Sequence, residues 1–164
     1  MSTNELLTDP WGIAGRSIVV MGAGGGGIGT SIARFLGAAG ASIVAVDIDA
    51  EKLAMCTDSL AAAGVDHVGL LADGRDAAQV ATVVDRAVDL APLHGSVQVA
   101  GGMWPPQWAP FASDDPAFDD VMALNFGSTV NTVRAVGRRL VEQGTGGAIV
   151  NIATTSAING MPYG

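Results

Sequence analysis

Short apolar runs alternate with segments of helical periodicity along most of the chain. The apolar runs are typical of strands buried on both faces; they are Ser17–Met21, Ser42–Asp47, Asp66–Leu71, Ser96–Ala100 and Ala148–Ile152. The helical segments are Ile28–Ala39, Ala50–Ala63, Asp76–Leu90 and Pro116–Val141. This alternation predicts an α/β fold with a doubly wound parallel sheet and helices on both faces.

Signals at the segment ends agree with this assignment. Gly40 and Gly64 follow two of the helical segments, as glycines that end helices do, and Asp49 suits the N-cap of the second helix. The irregular segment Gly101–Pro116 is predicted to be a loop. No linker separates two units, so residues 1–164 are expected to form one domain.

A cluster of glycines joins the first strand to the first helix. Six glycines fall within eight residues: Gly22, Gly24, Gly25, Gly26, Gly27 and Gly29. Gly22, Gly24 and Gly27 match G-x-G-x-x-G in the strand–turn–helix context that this motif requires. Glycine lets the backbone approach a phosphate closely, and the helix N-terminus offers unpaired N–H groups. The cluster therefore predicts a cradle for a dinucleotide pyrophosphate.

An acidic residue, Asp47, ends the second strand. A carboxylate at this distance from the loop can accept hydrogen bonds from both ribose hydroxyls of an adenosine, and it repels a 2′-phosphate. No arginine follows it, and Lys52 is the nearest basic residue. The sequence therefore favours NAD over NADP. Because Asp49 serves as the N-cap, Asp47 is expected to be free to bind a ligand.

Composition narrows the possible partners. The net charge of −8 disfavours a nucleic-acid partner, which requires a basic surface. Cys56 is the one cysteine, so it is predicted to be a packing residue in a cytoplasmic protein without an intramolecular disulfide. His67 and His94 lack the spacing of metal ligands, and no metal is expected. No apolar run is long enough to span a membrane.

Five motifs together resemble the short-chain dehydrogenase/reductase family. They occur in the family's order and spacing: "MGAGGGGIG" (Met21–Gly29), "LADGRD" (Leu71–Asp76), "QVAGG" (Gln98–Gly102), "LNFGS" (Leu124–Ser128) and "GGAIVNIATTSA" (Gly146–Ala157). In the first motif, Met21 replaces the usual threonine, and one extra residue predicts a wider or looser turn. In the third, Gln98 and Val99 replace two asparagines.

The resemblance implies a Rossmann-type sheet of order 3-2-1-4-5. It also implies NAD(H)-dependent hydride transfer between the nicotinamide and a small alcohol or carbonyl substrate. The implied cofactor-binding residues are Gly22, Gly24, Gly27, Ile28, Gly29, Asp47, Ile48, Asp73, Gly74, Ala100 and Gly101, with Asp73 facing the adenine ring. The implied catalytic residues are Asn125, Thr154 and Ser156, with Thr154 in the position of the family's serine. A homodimer or homotetramer formed through Pro116–Val141 is also implied.

The family's catalytic Tyr-x-x-x-Lys is not found in these residues. The one tyrosine is Tyr163 and the one lysine is Lys52. The fifth strand has an apolar, interior composition, although the implied strand order places it at an edge. We therefore expect the 164 residues to be the N-terminal part of a longer protein, with the C-terminal part of the family fold missing. Alone, they are expected to be inactive and to associate through the fifth strand.

Two alternative functions come from other classes. If 164 residues are the whole protein, the favoured interpretation is a catalytically inactive nucleotide-binding module. An S-adenosylmethionine-dependent methyltransferase would also place a glycine-rich loop after the first strand and an acid after the second. The lack of an acidic residue just before Gly22 weighs against the methyltransferase, as do the later motifs.

Overall fold

The computed structural model describes residues 9–102 and 115–155. The strands are β1 (Ser17–Met21), β2 (Ser42–Asp47), β3 (His67–Leu71), β4 (Leu93–Gln98) and β5 (Ala148–Asn151). The helices are α1 (Ile28–Ala38), α2 (Ala50–Ala62), α3 (Ala77–Leu90), α4 (Asp115–Met122) and α5 (Ser128–Gln143). A π-helical segment, Ala123–Gly127, joins α4 to α5.

The five strands form one parallel sheet. Its order is β3-β2-β1-β4-β5, which confirms the predicted doubly wound topology. All of β1 is buried, with Val19 opposite Val44 on one side and Ser96 on the other. The order reverses between β1 and β4, and in open sheets of this kind ligands bind beyond the carboxyl ends of the strands at such a reversal.

Alternate residues of the central strands enter two separate cores. Ile18 and Val20 pack with residues of α1 and α2 on one face of the sheet. Val19 and Met21 pack with residues of α3 and α5 on the other face. The continuous apolar runs are explained by this arrangement, because a strand covered on both faces buries every side chain.

Several local predictions are confirmed by the structure. Asp49 caps α2, and its carboxylate accepts hydrogen bonds from the amides of Glu51 and Lys52. Gly64 follows α2 with a φ of +69°, a conformation that favours glycine. Cys56 is fully buried, and burial raises the pKa of its thiol.

No helix among the described residues is long and apolar enough to cross a membrane.

The fourth strand differs from the prediction. Ser96–Ala100 was expected from the sequence pattern, whereas β4 runs from Leu93 to Gln98. At its end, the amides of Val99 and Ala100 both donate to the carbonyl oxygen of Met21, so the chain turns across the end of β1. The sequence SVQVA carries no signal for this turn, because both contacts are with a distant strand.

The long predicted helix is also interrupted. The periodicity of Pro116–Val141 predicts one continuous helix, but the turn at Ala123–Gly127 is π-helical. Next to it, the hydroxyl of Ser128 donates to the carbonyl of Leu124, and the hydroxyl of Thr129 donates to that of Asn125. These side chains hydrogen-bond carbonyl groups at the widened turn, which hydrophobic periodicity alone does not reveal.

A buried polar network connects β4 to α5. The side chain of Gln98 is 2% exposed, and its Nε2 donates to Ser128 Oγ at 2.9 Å. The hydroxyl of Thr132 lies 3.3 Å from Gln98 Oε1 and 2.9 Å from the carbonyl oxygen of Ser128. The three side chains therefore form one buried cluster of polar contacts between β4 and α5.

Because Thr132 supplies the hydroxyl next to Gln98 Oε1, Thr132→Val should destabilise the fold. Leaving a buried acceptor without a donor costs about 1–3 kcal/mol. Thr129→Val removes a hydroxyl from a more exposed position on the same helix and should change stability by no more than about 0.5 kcal/mol. Urea unfolding of the two variants measures the difference, and equal losses would contradict the role given to Gln98.

β5 lies at the edge of the described sheet. It pairs with β4 alone, and Val150 is 48% exposed. Ile152 follows the strand and is 47% exposed, although its amide still donates to the carbonyl of Gln98 at 3.0 Å. The edge position agrees with the predicted strand order. The strand has the apolar composition of an interior strand, yet its apolar side chains are partly exposed, because within the described residues β5 has a neighbouring strand on one side alone.

Candidate functional site

A cleft of about 400 Å³ opens at the carboxyl ends of β1 to β4. It is bounded by the segments that follow these strands and by the start of α5. Eight of the residues proposed from the sequence line it: Gly22, Gly24, Asp47, Ile48, Asp73, Gly74, Ala100 and Gly101. Residues up to 79 positions apart in the sequence therefore share one site, at the reversal between β1 and β4.

Two glycines of the loop are required by the chain itself. Gly22 has a φ of +78°, and a Cβ there would lie 2.5 Å from the amide nitrogen of Ala100. A Cβ on Gly29 would overlap the carbonyl oxygen of Gly22. Gly27 differs from both, because its φ is −88° and a Cβ would meet no atom within 4 Å. The fold therefore explains Gly22 and Gly29 but gives no steric reason for a glycine at position 27.

The lengthened loop is hydrogen-bonded to its surroundings rather than loose. Gly25 and Gly26 both have positive φ angles, of +79° and +71°. The amide of Gly25 donates to the carbonyl of Lys52, and that of Gly26 donates to Thr30 Oγ1. The Thr30 hydroxyl donates in turn to the carbonyl of Ala23 at 2.6 Å. Thr30, which sequence reasoning missed, therefore closes the loop across its base.

The first helix presents its N-terminus beside this loop. Gly27 occupies the N-cap position and provides no side-chain cap, and the first turn of α1 contains no acidic residue. Ile28 is 63% exposed, whereas Gly29 is buried. The amides of a first helical turn have no partner within the helix, and they carry the positive end of its dipole. This end of α1 can therefore bind an anionic group.

Asp47 is less free than the sequence indicated. Its Oδ2 accepts a hydrogen bond from the amide of Gly24 at 2.8 Å, and its Oδ1 accepts one from the amide of Asp49 at 3.1 Å. The carboxylate therefore holds the glycine loop against the end of β2. A carboxylate offers about four acceptor positions, so it can still accept hydrogen bonds from a ligand. Ile48 lies next to it on the cleft and is 59% exposed.

Asp73 forms an ion pair that the sequence analysis did not anticipate. Arg75 Nη2 lies 2.8 Å from Asp73 Oδ2, and Arg75 Nε donates to both carboxylate oxygens. Hydrogen bonding by this guanidinium lowers the pKa of the Asp73 carboxyl. Both side chains line the cleft, so the expected acid is present there as one half of a pair.

Asn125 binds backbone rather than pointing freely into the cleft. Its Oδ1 accepts from the amide of Gly102 at 2.9 Å, and its Nδ2 donates to the carbonyls of Gly102 and Val121 at 2.8 and 2.9 Å. A Cβ on Gly101 would lie 2.8 Å from Asn125 Oδ1. The side chain therefore fixes the segment that follows β4 against the π-helical turn.

The remaining predicted residues follow β5. Thr154 is exposed three residues beyond the end of this strand. Ser156 lies outside the described residues, as does Tyr163. Ser128, the last residue of the "LNFGS" motif, also lines the cleft, and the motif alone gives no sign of this. Within the described ranges, no group of three or more His, Cys, Asp or Glu side chains could hold a metal ion.

The contrast between Gly29 and Gly27 predicts different effects of alanine on stability. Gly29→Ala should lower the free energy of unfolding by about 1–3 kcal/mol or more, since the new methyl group overlaps backbone. Gly27→Ala should lower it by no more than about 1 kcal/mol, since the methyl group enters open space and the only loss is that alanine is a poorer N-cap than glycine. Thermal and urea unfolding test this, and a large loss for Gly27→Ala would show that the loop is more crowded than described.

Comparisons with known proteins agree on one family. The family model described as short chain dehydrogenase matches residues 16–164. The probable oxidoreductase EphD of Mycobacterium tuberculosis is 35% identical over 150 residues, which are 90% of this chain and 25% of EphD. The 3beta-hydroxysteroid dehydrogenase 2 of Eggerthella lenta is 35% identical over 150 residues, 89% of this chain and 56% of that enzyme. The chain thus spans a quarter to about half of these relatives.

Solved structures share the fold. A short-chain dehydrogenase/reductase from Burkholderia xenovorans has a TM-score of 0.82 and 32% identity, and the match covers 90% of this chain and 57% of that one. Actinorhodin polyketide ketoreductase with NADPH has a TM-score of 0.81 and 29% identity, covering 90% and 56% of the two chains. NAD⁺-bound xylitol dehydrogenase has a TM-score of 0.83 and 26% identity, covering 93% and 58%. The methyltransferase alternative is therefore set aside.

Proposed function

The chain belongs to the short-chain dehydrogenase/reductase family, and on that premise we propose that it binds NAD(H) in the cleft at the carboxyl ends of β1 to β4. When bound, this cofactor supplies a nicotinamide that exchanges a hydride with an alcohol or carbonyl group. In this proposal, residues 1–164 act as one cofactor-binding domain.

The observation that carries the choice of cofactor is the position of Asp47. Its carboxylate lines the cleft at the end of β2, next to the glycine loop that it hydrogen-bonds. A ribose that presents hydroxyls can donate to it, whereas a 2′-phosphate would bring like charge against it. Lys52 also lines the cleft, but its ammonium pairs with Asp49 at 3.5 Å. This balance favours NAD(H) over NADP(H).

In this proposal a pyrophosphate binds at the end of the glycine loop where α1 begins. The amides of Ile28 and Gly29 belong to the uncapped first turn of α1, and the space next to Gly27 is open. A Cβ at Gly27 would meet no atom of the described residues, so the space there is open to a ligand that must approach the backbone closely. Ala100 and Gly101 line the same cleft, and Ala100 lies against Gly22 at the start of the loop.

For catalysis we propose Asn125, Thr154 and Ser156. Asn125 positions the segment after β4, while the hydroxyls of Thr154 and Ser156 are the candidates for orienting a substrate oxygen. The family's tyrosine exchanges a proton with that oxygen, assisted by its lysine, in general acid–base catalysis. These 164 residues contain one tyrosine and one lysine, which do not form Tyr-x-x-x-Lys. Hydride transfer is therefore proposed for a protein that also carries that pair, and cofactor binding for these residues themselves.

The resemblance to the family adds two further parts to the proposal. The substrate is a small molecule with an alcohol or carbonyl group, and the protein acts in the cytoplasm as a homodimer or homotetramer.

The role of Asp47 predicts a cofactor preference that can be measured. Wild-type protein should bind NADH more tightly than NADPH, and Asp47→Ala should weaken NADH binding by about 1–3 kcal/mol, the cost of leaving ribose hydroxyls unpaired. Because the substitution also releases the glycine loop, the informative quantity is the ratio of the two dissociation constants. Calorimetric titration should show that ratio falling about tenfold or more in the variant. Tighter binding of NADPH than of NADH by the wild type would contradict the proposal.

The open space at Gly27 provides an independent test of the binding site. Gly27→Ala should weaken NADH binding about tenfold or more, because the methyl group occupies the space into which a phosphate must enter. Its free energy of unfolding should fall by no more than about 1 kcal/mol, so the loss of binding cannot be attributed to unfolding. Unchanged NADH fluorescence titrations for this variant would place the pyrophosphate elsewhere.

A further inference from the structure

One side chain of α5 holds the segment that follows β3. Asn131 Nδ2 donates to the carbonyl oxygen of Gly74 at 3.1 Å and to that of Arg75 at 3.0 Å. Gly74 and Arg75 line the cleft, whereas Asn131 does not. The contact therefore links the wall of the candidate site to a helix that begins more than 50 residues later in the chain.

The same segment is packed closely against the helix at Gly74. A Cβ there would lie 3.0 Å from Ser128 Cβ and 3.3 Å from Met21 Cε. The carbonyls of Gly74 and Arg75 face the amide of Asn131, and the guanidinium of Arg75 pairs with Asp73 at 2.8 Å. Packing, two hydrogen bonds from the Asn131 side chain and an ion pair together restrain three successive residues.

These restraints leave one amide group available. The amide of Asp73 donates to Gln79 Oε1, that of Arg75 to Asp73 Oδ1 and that of Asp76 to the carbonyl of Asp73. The amide of Gly74 donates to none of the described residues. In a trans peptide the C=O and N–H groups point in opposite directions. Because the carbonyl of Asp73 points into the turn, the amide of Gly74 points away from it.

We propose that Asn131 is a positioning residue that sets the orientation of the Asp73–Arg75 segment for recognition of the purine base. The inference rests on the proposed binding of NAD(H), with the adenine ring beside Asp73 as the family resemblance implies, and it adds the role of Asn131. Asn131 acts through the backbone: by holding two carbonyls, it fixes the direction of the Gly74 amide and the place of the Asp73–Arg75 pair. With the Gly74 amide fixed as a donor and the Asp73–Arg75 ion pair fixed beside it, the segment can distinguish bases by the donors and acceptors that each base presents.

A second amide on α5 provides a matched control. Gln143 Nε2 donates to the carbonyl of Leu93 at 2.9 Å, and Gln143 Oε1 accepts from the Leu93 amide at 3.3 Å. Leu93 begins β4, so this contact lies at the end of the sheet opposite the cleft. Asn131→Ala and Gln143→Ala therefore both remove a side-chain amide of the same helix that binds backbone, and they differ in whether that backbone belongs to the site.

The first experiment needs no cofactor. Amide hydrogen–deuterium exchange is measured over residues 72–77 in the wild type and both variants. Asn131→Ala should speed exchange at Arg75 and Asp76 about tenfold or more, because the turn that protects these amides is no longer held. Gln143→Ala should leave it at the wild-type rate. If Asn131→Ala leaves exchange unchanged, the segment is ordered without Asn131 and the inference is wrong.

The second experiment compares NADH with reduced nicotinamide hypoxanthine dinucleotide by calorimetry. Hypoxanthine carries a carbonyl in place of the adenine amino group, and its neighbouring ring nitrogen is a donor instead of an acceptor. Wild-type protein should prefer NADH. Asn131→Ala should bind NADH about tenfold more weakly and lose most of that preference, whereas Gln143→Ala should keep it. Asn131→Asp should behave as Asn131→Ala does, because an ionised carboxylate has no proton to donate to the two carbonyls.

The outcomes separate the inference from the function on which it rests. If the wild type binds neither dinucleotide, the proposed function fails, whatever the exchange rates show. If the wild type binds NADH and Asn131→Ala keeps both affinity and preference, the function stands and the role of Asn131 is excluded. Equal losses of preference in Asn131→Ala and Gln143→Ala would show a general effect of weakening α5, which would also overturn the inference.

Discussion

The backbone of Gly22 lies against the backbone of Ala100 with no space for a side chain between them. Two pairs of hydrogen bonds hold this approach: the amides of Gly22 and Ala23 donate to the carbonyl of Val46, and those of Val99 and Ala100 donate to the carbonyl of Met21. The ends of β1, β2 and β4 are thereby joined at one point. The cleft lies where the chain passes from β1 to a helix on one face of the sheet and from β4 toward α5 on the other. A Cβ at Gly22 would push the ends of β1 and β4 apart.

The helix α5 organises the other side of the cleft. Its first turns carry Ser128 and Thr132, which satisfy the buried Gln98, and the π-helical turn before it places Asn125 against Gly102. The contacts of Gln98 are made by buried polar side chains, where an unsatisfied partner is costly. The helix is therefore fixed in both position and rotation relative to the strand ends, as a site built from several separate segments requires.

Each charged side chain discussed around the site is already engaged by a neighbouring group of the protein. Asp47 is engaged by two backbone amides, Asp73 by Arg75 and Lys52 by Asp49. Each group retains some capacity for a ligand, and the exposed Lys52–Asp49 pair is the weakest of these restraints. Recognition in such a cleft depends on prearranged donors and acceptors, and a ligand must fit them as they stand.

Much of the fold could be predicted from the sequence, because the signals that define strands and helices are local. Continuous apolar runs located all five strands, and the resemblance to a known family supplied their order, which the sheet confirms. The motif also located Gly22 and Gly29, whose need for glycine follows from the strand–turn–helix geometry. The segment ends were less accurate, since β4 starts earlier than its pattern and the helix pattern conceals a π-helical turn.

The contacts between distant residues were decided by tertiary structure alone. The sequence by itself determined an acid at the end of β2 and another after β3, but only the packed chain shows that Asp47 holds the glycine loop and that Asp73 pairs with Arg75. Nothing in the pattern around Thr30 or Asn131 distinguishes them from other polar residues of a helix. Their partners come from the glycine loop and from the segment after β3, and those distances are set only when the helices pack on the sheet. Periodicity records which face a residue occupies, whereas the partner it meets there depends on how the whole chain folds.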